Sequence, residues 1–249
     1  MFEMLLSNIF SNKEKDKMEI ENRKKDILDI LYEKERVSVA ELAKALYVSE
    51  MTIRRDLKEL EENGILKRYR GGAVLTVMSS ELPASKRFFL DEDEKKALGK
   101  QAAKYLTDNI SVFIDSSSTC QYVIPYIKNF ENITIITNSI NTLLAATKNQ
   151  IKCVLIGGEY YSKDECFVGA LARRFAEEFN VDVAFISTLG ISEDGVISDS
   201  DLDQTMIRRS ILTHACKKIF LFEKNKLNKK YLYTLCRKDD ADDVIISNI

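Results

Sequence analysis

Apolar residues recur three and four apart along the first seventy positions and, beyond residue 110, bunch into short continuous runs; the two patterns predict two kinds of structure in one chain. Ile27, Ile30 and Leu31 make a single stripe on a helix over 23–35. Arg36-Val37 ends it, and Ser38-Val-Ala-Glu41 has the spacing of a capping box, which predicts a second helix over 39–46. After Tyr47-Val48, Ser49 is placed to cap a third helix, and Asn63-Gly64 supplies its stop. Residues 94–107, 119–128, 141–148, 168–179 and 203–216 read as further helices. They alternate with β-rich runs at 111–114, 133–136, 152–156, 183–187, 218–222 and 244–247. Runs this apolar predict strands covered on both faces, hence a mostly parallel α/β sheet. Residues 74–92, with Pro83 and no clear period, read as a linker between domains over 18–73 and 93–249.

Charge changes the reading of the third helix. Ile53, Leu57 and Leu60 fall on one side of it, Met51, Arg55 and Lys58 on the other, and Thr52 and Arg54 on the flanks. Glu59, Glu61 and Glu62 gather toward its C-terminal half. Ser49, Thr52, Arg54 and Arg55 are left in the first turns, the part that enters a major groove in a helix-turn-helix. Beyond Gly64, Ile65 to Gly72 reads as a strand carrying Lys67, Arg68 and Arg70 into two glycines, a hairpin wing suited to lie along phosphates. A plain three-helix bundle with a solvated face needs neither the capping box, the tight turn nor the basic wing; together they favour DNA binding.

The chain has 249 residues, 45% hydrophobic and 31% charged, a globular composition with room for two ordinary domains. Its formal net charge of -2 means that any nucleic-acid contact has to be local. Five cysteines, at 120, 153, 166, 216 and 236, form no C-x-x-C pair and no metal-like spacing, which fits a reduced cytosolic compartment and predicts no metal or cofactor. The apolar opening carries Glu3, lacks a basic segment and is far shorter than the ~20 residues of a membrane span, so neither secretion nor insertion is expected. Met18 lies just before the first helix pattern. Residues 1–17 are therefore either a start-site over-extension or a short extra helix that packs on a partner.

Parallel α/β sheets bind ligands beyond the carboxyl ends of their strands, and there the unusual residues lie. Asp115-Ser116-Ser117-Ser118-Thr119 follows the first strand and opens a predicted helix, offering amides, hydroxyls and a positive helix end to an anion. A serine-rich N-cap without ligand is the competing reading. Thr137-Asn138 ends the second strand, and Gly157-Gly158 comes after the third, where missing side chains let a ligand approach the backbone. Lys226, after the strand ending at Phe222, adds either a positive charge to the same place or an ordinary surface lysine.

The segment Val48 to Gly64, continued by Arg68-Tyr-Arg-Gly-Gly-Ala73, closely resembles the winged helix-turn-helix of the DeoR family of bacterial transcriptional regulators, across turn, recognition helix and wing. The resemblance implies DNA contacts from Ser49, Thr52, Arg54 and Arg55. The second half resembles the family's effector domain, whose fold is akin to that of sugar-phosphate isomerases and whose ligands are phosphorylated sugars or related metabolites. Its points of match are Glu81, Arg87, Asp115 with Ser116–Thr119, Thr137-Asn138, Gly157-Gly158, Phe167-Val-Gly169, Asp182, Gly190-Ile191 and Lys226. Together the two halves cover nearly all of residues 20–248. The resemblance implies a cytoplasmic regulator, expected to repress a carbohydrate operon, bind operator DNA as a homodimer or homotetramer and release it on taking up a phosphorylated sugar. The chain departs from the family at Ser117, usually glycine, at Gln204, often glutamate, and at Glu223, often aspartate. A serine in place of glycine is expected to cost a backbone conformation with positive φ.

Two other classes compete. An isomerase-like enzyme would use Asp115, Glu159, one of Asp199, Asp201 or Asp203, and Lys226 as acid and base groups, but no nucleophile–base spacing stands out. The sole histidine, His214, sits on a predicted helix and reads as a packing or helix-end residue. A thiol sensor would use Cys120, in the first turn of a predicted helix, where the dipole lowers a thiol pKa.

Overall fold

The computed structural model describes residues 20–248 apart from 21–22, 25, 29, 32–33, 35, 63–64, 76–83 and 89. The expectations for residues 1–17, for the Asn63-Gly64 stop and for Glu81 lie outside the described residues. The chain divides into two compact units between Leu82 and Pro83.

In the first unit, helical residues between 20 and 34 form α1, followed by β1 (Arg36–Ser38), α2 (Val39–Ala45), α3 (Glu50–Glu62), β2 (Leu66–Tyr69) and β3 (Gly72–Leu75). Ile27, Leu31, Leu42, Ile53 and Leu57 are buried, as their helical spacing predicts. The capping box forms in both directions: the Glu41 amide donates to Ser38 Oγ at 3.2 Å and the Ser38 amide to Glu41 Oε2 at 2.9 Å. Arg36-Val37, expected only to end the first helix, instead joins the wing together with the capping residue Ser38, in a sheet of order β1-β3-β2 with antiparallel pairing throughout. Three residues are too few to show a strand period. What fixes them is Val37 in the core and Arg36 over the Tyr69 ring at 4.1 Å. The wing turns at Gly71, whose φ of +99° suits glycine, and a Cβ on Gly72 would collide with the Val37 carbonyl oxygen.

The second unit contains α4 (Ala84–Arg87), α5 (Glu92–Ala102), β4 (Ser111–Ile114), α6 (Ile124–Ile127), β5 (Thr134–Thr137), α7 (Ile140–Lys148), β6 (Lys152–Leu155), β7 (Glu159–Tyr161), β8 (Cys166–Val168) and α8 (Gly169–Ala176). It continues with β9 (Val181–Ile186), β10 (Gly190–Ile191), β11 (Val196–Asp199), α9 (Leu202–His214), β12 (Ala215–Phe222), β13 (Tyr233–Arg237) and β14 (Asp243–Ile246). The stretch expected as a linker is shorter at both ends. Residues 74–75 belong to β3, while Ala84 and Leu90 are buried in the second unit.

All six β-rich runs form strands of one sheet, ordered β14-β12-β9-β4-β5-β6 and parallel at every pairing. Both faces are covered, which explains the apolar runs. Phe113, Ala184, Ile186, Phe220 and Phe222 pack with α8 and α9 residues such as Ala172, Ile207 and Ile211. The alternate residues Val112, Ile114, Phe185, Ile219 and Leu221 pack with Leu98, Val123, Ile124 and Ala146 on the other side. From β4 the chain steps out to β5 and β6, then returns to β9 on the far side of β4 and steps out to β12 and β14. Its direction reverses between β4 and β9. Loops leaving neighbouring strands in opposite directions open a crevice at their carboxyl ends.

Candidate functional site

In α3, Ile53, Asp56, Leu57 and Leu60 face inward, while Met51, Arg54, Arg55 and Lys58 are exposed, as helical spacing requires. Ser49 caps the helix, its Oγ accepting from the Thr52 amide at 3.1 Å and lying 2.9 Å from the Thr52 hydroxyl. Asp56, the inward acid, is gripped by Arg23 of α1 through Nε at 2.6 Å and Nη2 at 3.2 Å, which fixes the recognition helix on its support. Among the outward cations Arg54 is held by Glu50 at 2.8 Å and Lys58 by Glu62 at 3.6 Å, whereas Arg55 makes no ion pair among the described residues. On the wing, Lys67 and Arg70 are exposed, and Arg68 is tied to Glu61 through its amide and its Nε. That tie locks β2 to α3 and leaves Lys67 and Arg70 as the wing's available charges.

At the β4/β9 crevice the Asp115–Thr119 loop is built around Asp115, which is buried. Its Oδ1 accepts from the Ser117 amide and hydroxyl at 3.0 and 2.5 Å, and its Oδ2 from the Ser187 amide at 3.2 Å and Arg208 Nε at 3.0 Å. Asp115 is thus the organiser beneath the loop and not a free ligand group. Ser117 avoids positive φ; the expected cost of serine is absent, and its hydroxyl also accepts from the Cys120 amide at 3.2 Å. The helix expected over 119–128 is a 3-10 turn at Cys120–Val123 followed by the four-residue α6. Pro125 lacks the amide that would continue an α-helical ladder through this turn. A helix this short offers little dipole to an anion, so hydroxyls and cations carry the chemistry here.

Ser116, Ser117 and Ser118 line the crevice together with Ser187, Thr188 and Lys226; Arg87, a point of family match expected in the linker, joins them, as do three groups unsuspected from sequence, Lys163, Asp164 and Arg208. Asp199 and Asp201 complete the acidic part of the wall. Arg208 is clamped between Asp115 and Asp199, the latter at 2.8 Å from Nη1, and although burial disfavours its charge the two carboxylates raise its pKa. Lys226 reaches Glu223 and Ser187 Oγ, each at 2.8 Å, and Thr119 Oγ1 at 3.3 Å. Behind it Lys95, buried in α5, lies 3.8 Å from Glu223 and donates to the Arg87 and Leu90 carbonyls at 2.5 Å.

The remaining expected site residues do not reach the crevice lining. Thr137 Oγ1 accepts from the Ser139 amide, and Asn138 Nδ2 donates to the Phe167 carbonyl and Gln204 Oε1. Asn138 thereby braces Gln204, which in turn donates to Ser116 Oγ at 2.9 Å and Asp164 Oδ2 at 3.2 Å. Gly157 and Gly158 are exposed. A Cβ on Gly158 would lie 2.5 Å from the Val168 carbonyl oxygen, so close packing on β8 and α8 by itself requires this glycine. Cys120 is fully buried, and burial, then the nearby Asp115 carboxylate, pushes its thiol pKa well up, the opposite of what a thiol sensor needs.

Glu223 is the pivot of the Lys95–Glu223–Lys226 chain. Burial pushes its carboxyl up, but the ammonium groups of Lys226 and Lys95 and the hydrogen bonds from Lys226 and Thr119 outweigh it and hold the pKa at about 2 against an ordinary 4.5. A depressed carboxyl contributes stability that is present above pH 4.5 and lost as pH falls through about 2. The melting-temperature gap between wild type and Glu223→Gln is accordingly expected to be largest above about pH 5 and to shrink toward about pH 2. A gap independent of pH would show that this carboxyl is not the group that titrates.

Residues 90–248 match the family described as the DeoR C terminal sensor domain, and residues 23–77 the DeoR-like helix-turn-helix domain. The HTH-type transcriptional repressor GlcR of Bacillus subtilis (strain 168) is 31% identical, over 92% of this chain and 89% of its own. The glycerol-3-phosphate regulon repressor of Escherichia coli (strain K12) is 28% identical, over 86% of this chain and 85% of its own. Among solved structures, a D-ribose-5-phosphate isomerase in complex with phospho-erythronic acid is 17% identical with a TM-score of 0.42, over 55% of this chain and 54% of that one. No helix among the described residues is long and apolar enough to cross a membrane. With both units matched in order and the curated relatives regulators along almost their whole length, the chain belongs to the DeoR family of transcriptional regulators, a DNA-binding protein with a sensor domain and not an enzyme.

Proposed function

We propose that the protein is a cytoplasmic repressor of a carbohydrate-metabolism operon, bound to its operator as a homodimer or homotetramer and released when a phosphorylated sugar fills the crevice between β4 and β9. The observation that carries this reading is the meeting of the Ser116–Ser118 hydroxyls with Lys226 and Arg87 in one crevice, beside Asp199 and Asp201. Hydroxyls and cations suit a phosphate, and carboxylates suit the hydroxyls of a sugar. A relative named as the glycerol-3-phosphate regulon repressor supports the same ligand class. Two-fold symmetry presents two copies of α3 to half-sites about one or more helical turns apart.

Fluorescence anisotropy of the full chain on its own upstream DNA, at fixed salt and with a panel of sugar phosphates, tests the reading. Tight binding is expected, with one compound weakening it about 5- to 150-fold, the range of ordinary allosteric coupling. If the upstream DNA is not bound, or is bound and indifferent to every phosphorylated sugar, the reading fails.

A further inference from the structure

The first residues past the division between the units form part of the crevice wall. Ala84 donates its amide to the Lys163 carbonyl at 3.1 Å, and three residues on the Arg87 guanidinium pairs with Asp164. Both partners sit in the turn between β7 and β8. Behind them Lys95 holds the Arg87 and Leu90 carbonyls, and the Tyr122 hydroxyl holds the Phe88 carbonyl at 2.8 Å with the two rings stacked at 4.6 Å. The segment that leads in sequence to the helix-turn-helix is therefore strapped to the sensor unit, and one of its straps is a cation facing the ligand crevice.

Arg87 differs from the other two ion-paired cations of the crevice. Arg208 is fixed between two carboxylates, and Lys226 is surrounded by Glu223, Ser187 and Thr119. Arg87 has a single carboxylate partner, and its Nε is buried without an acceptor among the described residues, an unmet donor that favours any ligand oxygen able to reach it. Asp164 is not stranded if the guanidinium leaves, because Gln204 Nε2 already donates to its other oxygen at 3.2 Å.

We propose that Arg87 is an anion-binding residue of the sensor crevice and its output strap: an anionic ligand takes the guanidinium from Asp164 and so unhooks the Ala84–Leu90 segment from the β7–β8 turn. The inference rests on the effector reading of the crevice. It names two states, Arg87 paired with Asp164 when empty and with the ligand when filled, and Asp164 competes with the ligand for one fork of donors.

Competition gives the two partners opposite signs, which a merely structural pair does not. With inorganic phosphate as probe, calorimetry on the full chain is expected to show Arg87→Gln weakening binding about tenfold or more and Asp164→Asn tightening it about fivefold. Amide exchange over 84–90 should quicken on adding phosphate to wild type and not to Arg87→Gln. Should Arg87→Gln fail to fold, Asp164→Asn carries the test alone, since its amide keeps the shape and the Gln204 contact. Phosphate binding that Lys226→Gln abolishes but Asp164→Asn leaves unchanged or weakens overturns this inference and leaves the effector reading standing. Indifference of wild type to phosphate and to every sugar phosphate overturns both.

Discussion

Replacing Arg208 by methionine is expected to destabilise the sensor unit by about 3–5 kcal/mol, the magnitude typical of removing one partner from a buried ion cluster. Arg208 reaches from α9 to Asp115 at the end of β4 and to Asp199 at the end of β11, so a single guanidinium ties three elements together. Without it two carboxylates remain buried with no cation between them. Asp115 keeps three donors, from Ser117 and Ser187, and Asp199 keeps the Ser200 amide at 2.7 Å, but neutral donors do not replace the charge. Asp199→Asn, which leaves the Arg208–Asp115 pair whole, is expected to cost distinctly less. Urea unfolding monitored by circular dichroism distinguishes the cases; a loss below about 1 kcal/mol for Arg208→Met would mean that the cluster contributes no more than a surface pair.

Arg208 also shows where sequence reading stops. It sits beside Arg209 in the middle of a helix pattern, and nothing local separates the two, yet Arg208 is buried against Asp115 while Arg209 is exposed. Only the return of the chain from β6 to β9, which brings Asp115 after β4 and Asp199 of β11 to the same face of α9, makes the difference. Lys95 and Lys96 repeat the contrast: adjacent in an acidic run, one is buried against Glu223 and the other paired on the surface with Glu92. Local signals fare better. The six central strands are legible because both of their faces are apolar, and the first unit because capping, turn and wing residues each act within a few positions. Strands of two to five residues such as β7, β8, β10 and β13 carry no period, so the turn that brings Asp164 to Arg87 has no sequence signal.

The glycine-based expectation has a similar limit at Gly158, while a Cβ on Gly157 would meet nothing within 4 Å. Glycine marks a place where something approaches the backbone, without saying what. At Gly158 the approaching group is the protein's own Val168 carbonyl and Ala172 methyl, and at Gly72 it is the Val37 carbonyl and the Tyr69 hydroxyl. The Asp115–Thr119 loop, by contrast, has serine where the family favours glycine and avoids positive φ, with the Ser117 hydroxyl folded back onto Asp115. Its departure from the family pattern is absorbed as a hydrogen bond, which leaves Ser116 and Ser118 as the hydroxyls on either side of a fixed post.

Removing the Arg55 side chain is expected to weaken operator binding by about 1–3 kcal/mol, roughly 5- to 150-fold, with the fold intact because the side chain is exposed. Arg54→Ala should cost less than Arg55→Ala, since Arg54 first has to leave Glu50 before it can serve DNA, whereas Arg55 has no ion pair to give up among the described residues. By the same argument Glu50→Gln should tighten binding, by no more than about 1 kcal/mol for an exposed pair. Lys67→Ala and Arg70→Ala on the wing should behave differently. Their loss should spread evenly over DNA sequences and reduce the salt slope by about one each, the mark of a phosphate contact. Anisotropy titrations against operator and scrambled DNA at several salt concentrations separate the two classes. If Arg54→Ala and Arg55→Ala both bind the operator as wild type does, α3 is not the reading helix; if both instead lose affinity equally on scrambled DNA, its arginines grip phosphates and the sequence is read by Ser49, Met51 and Thr52 at the capped end.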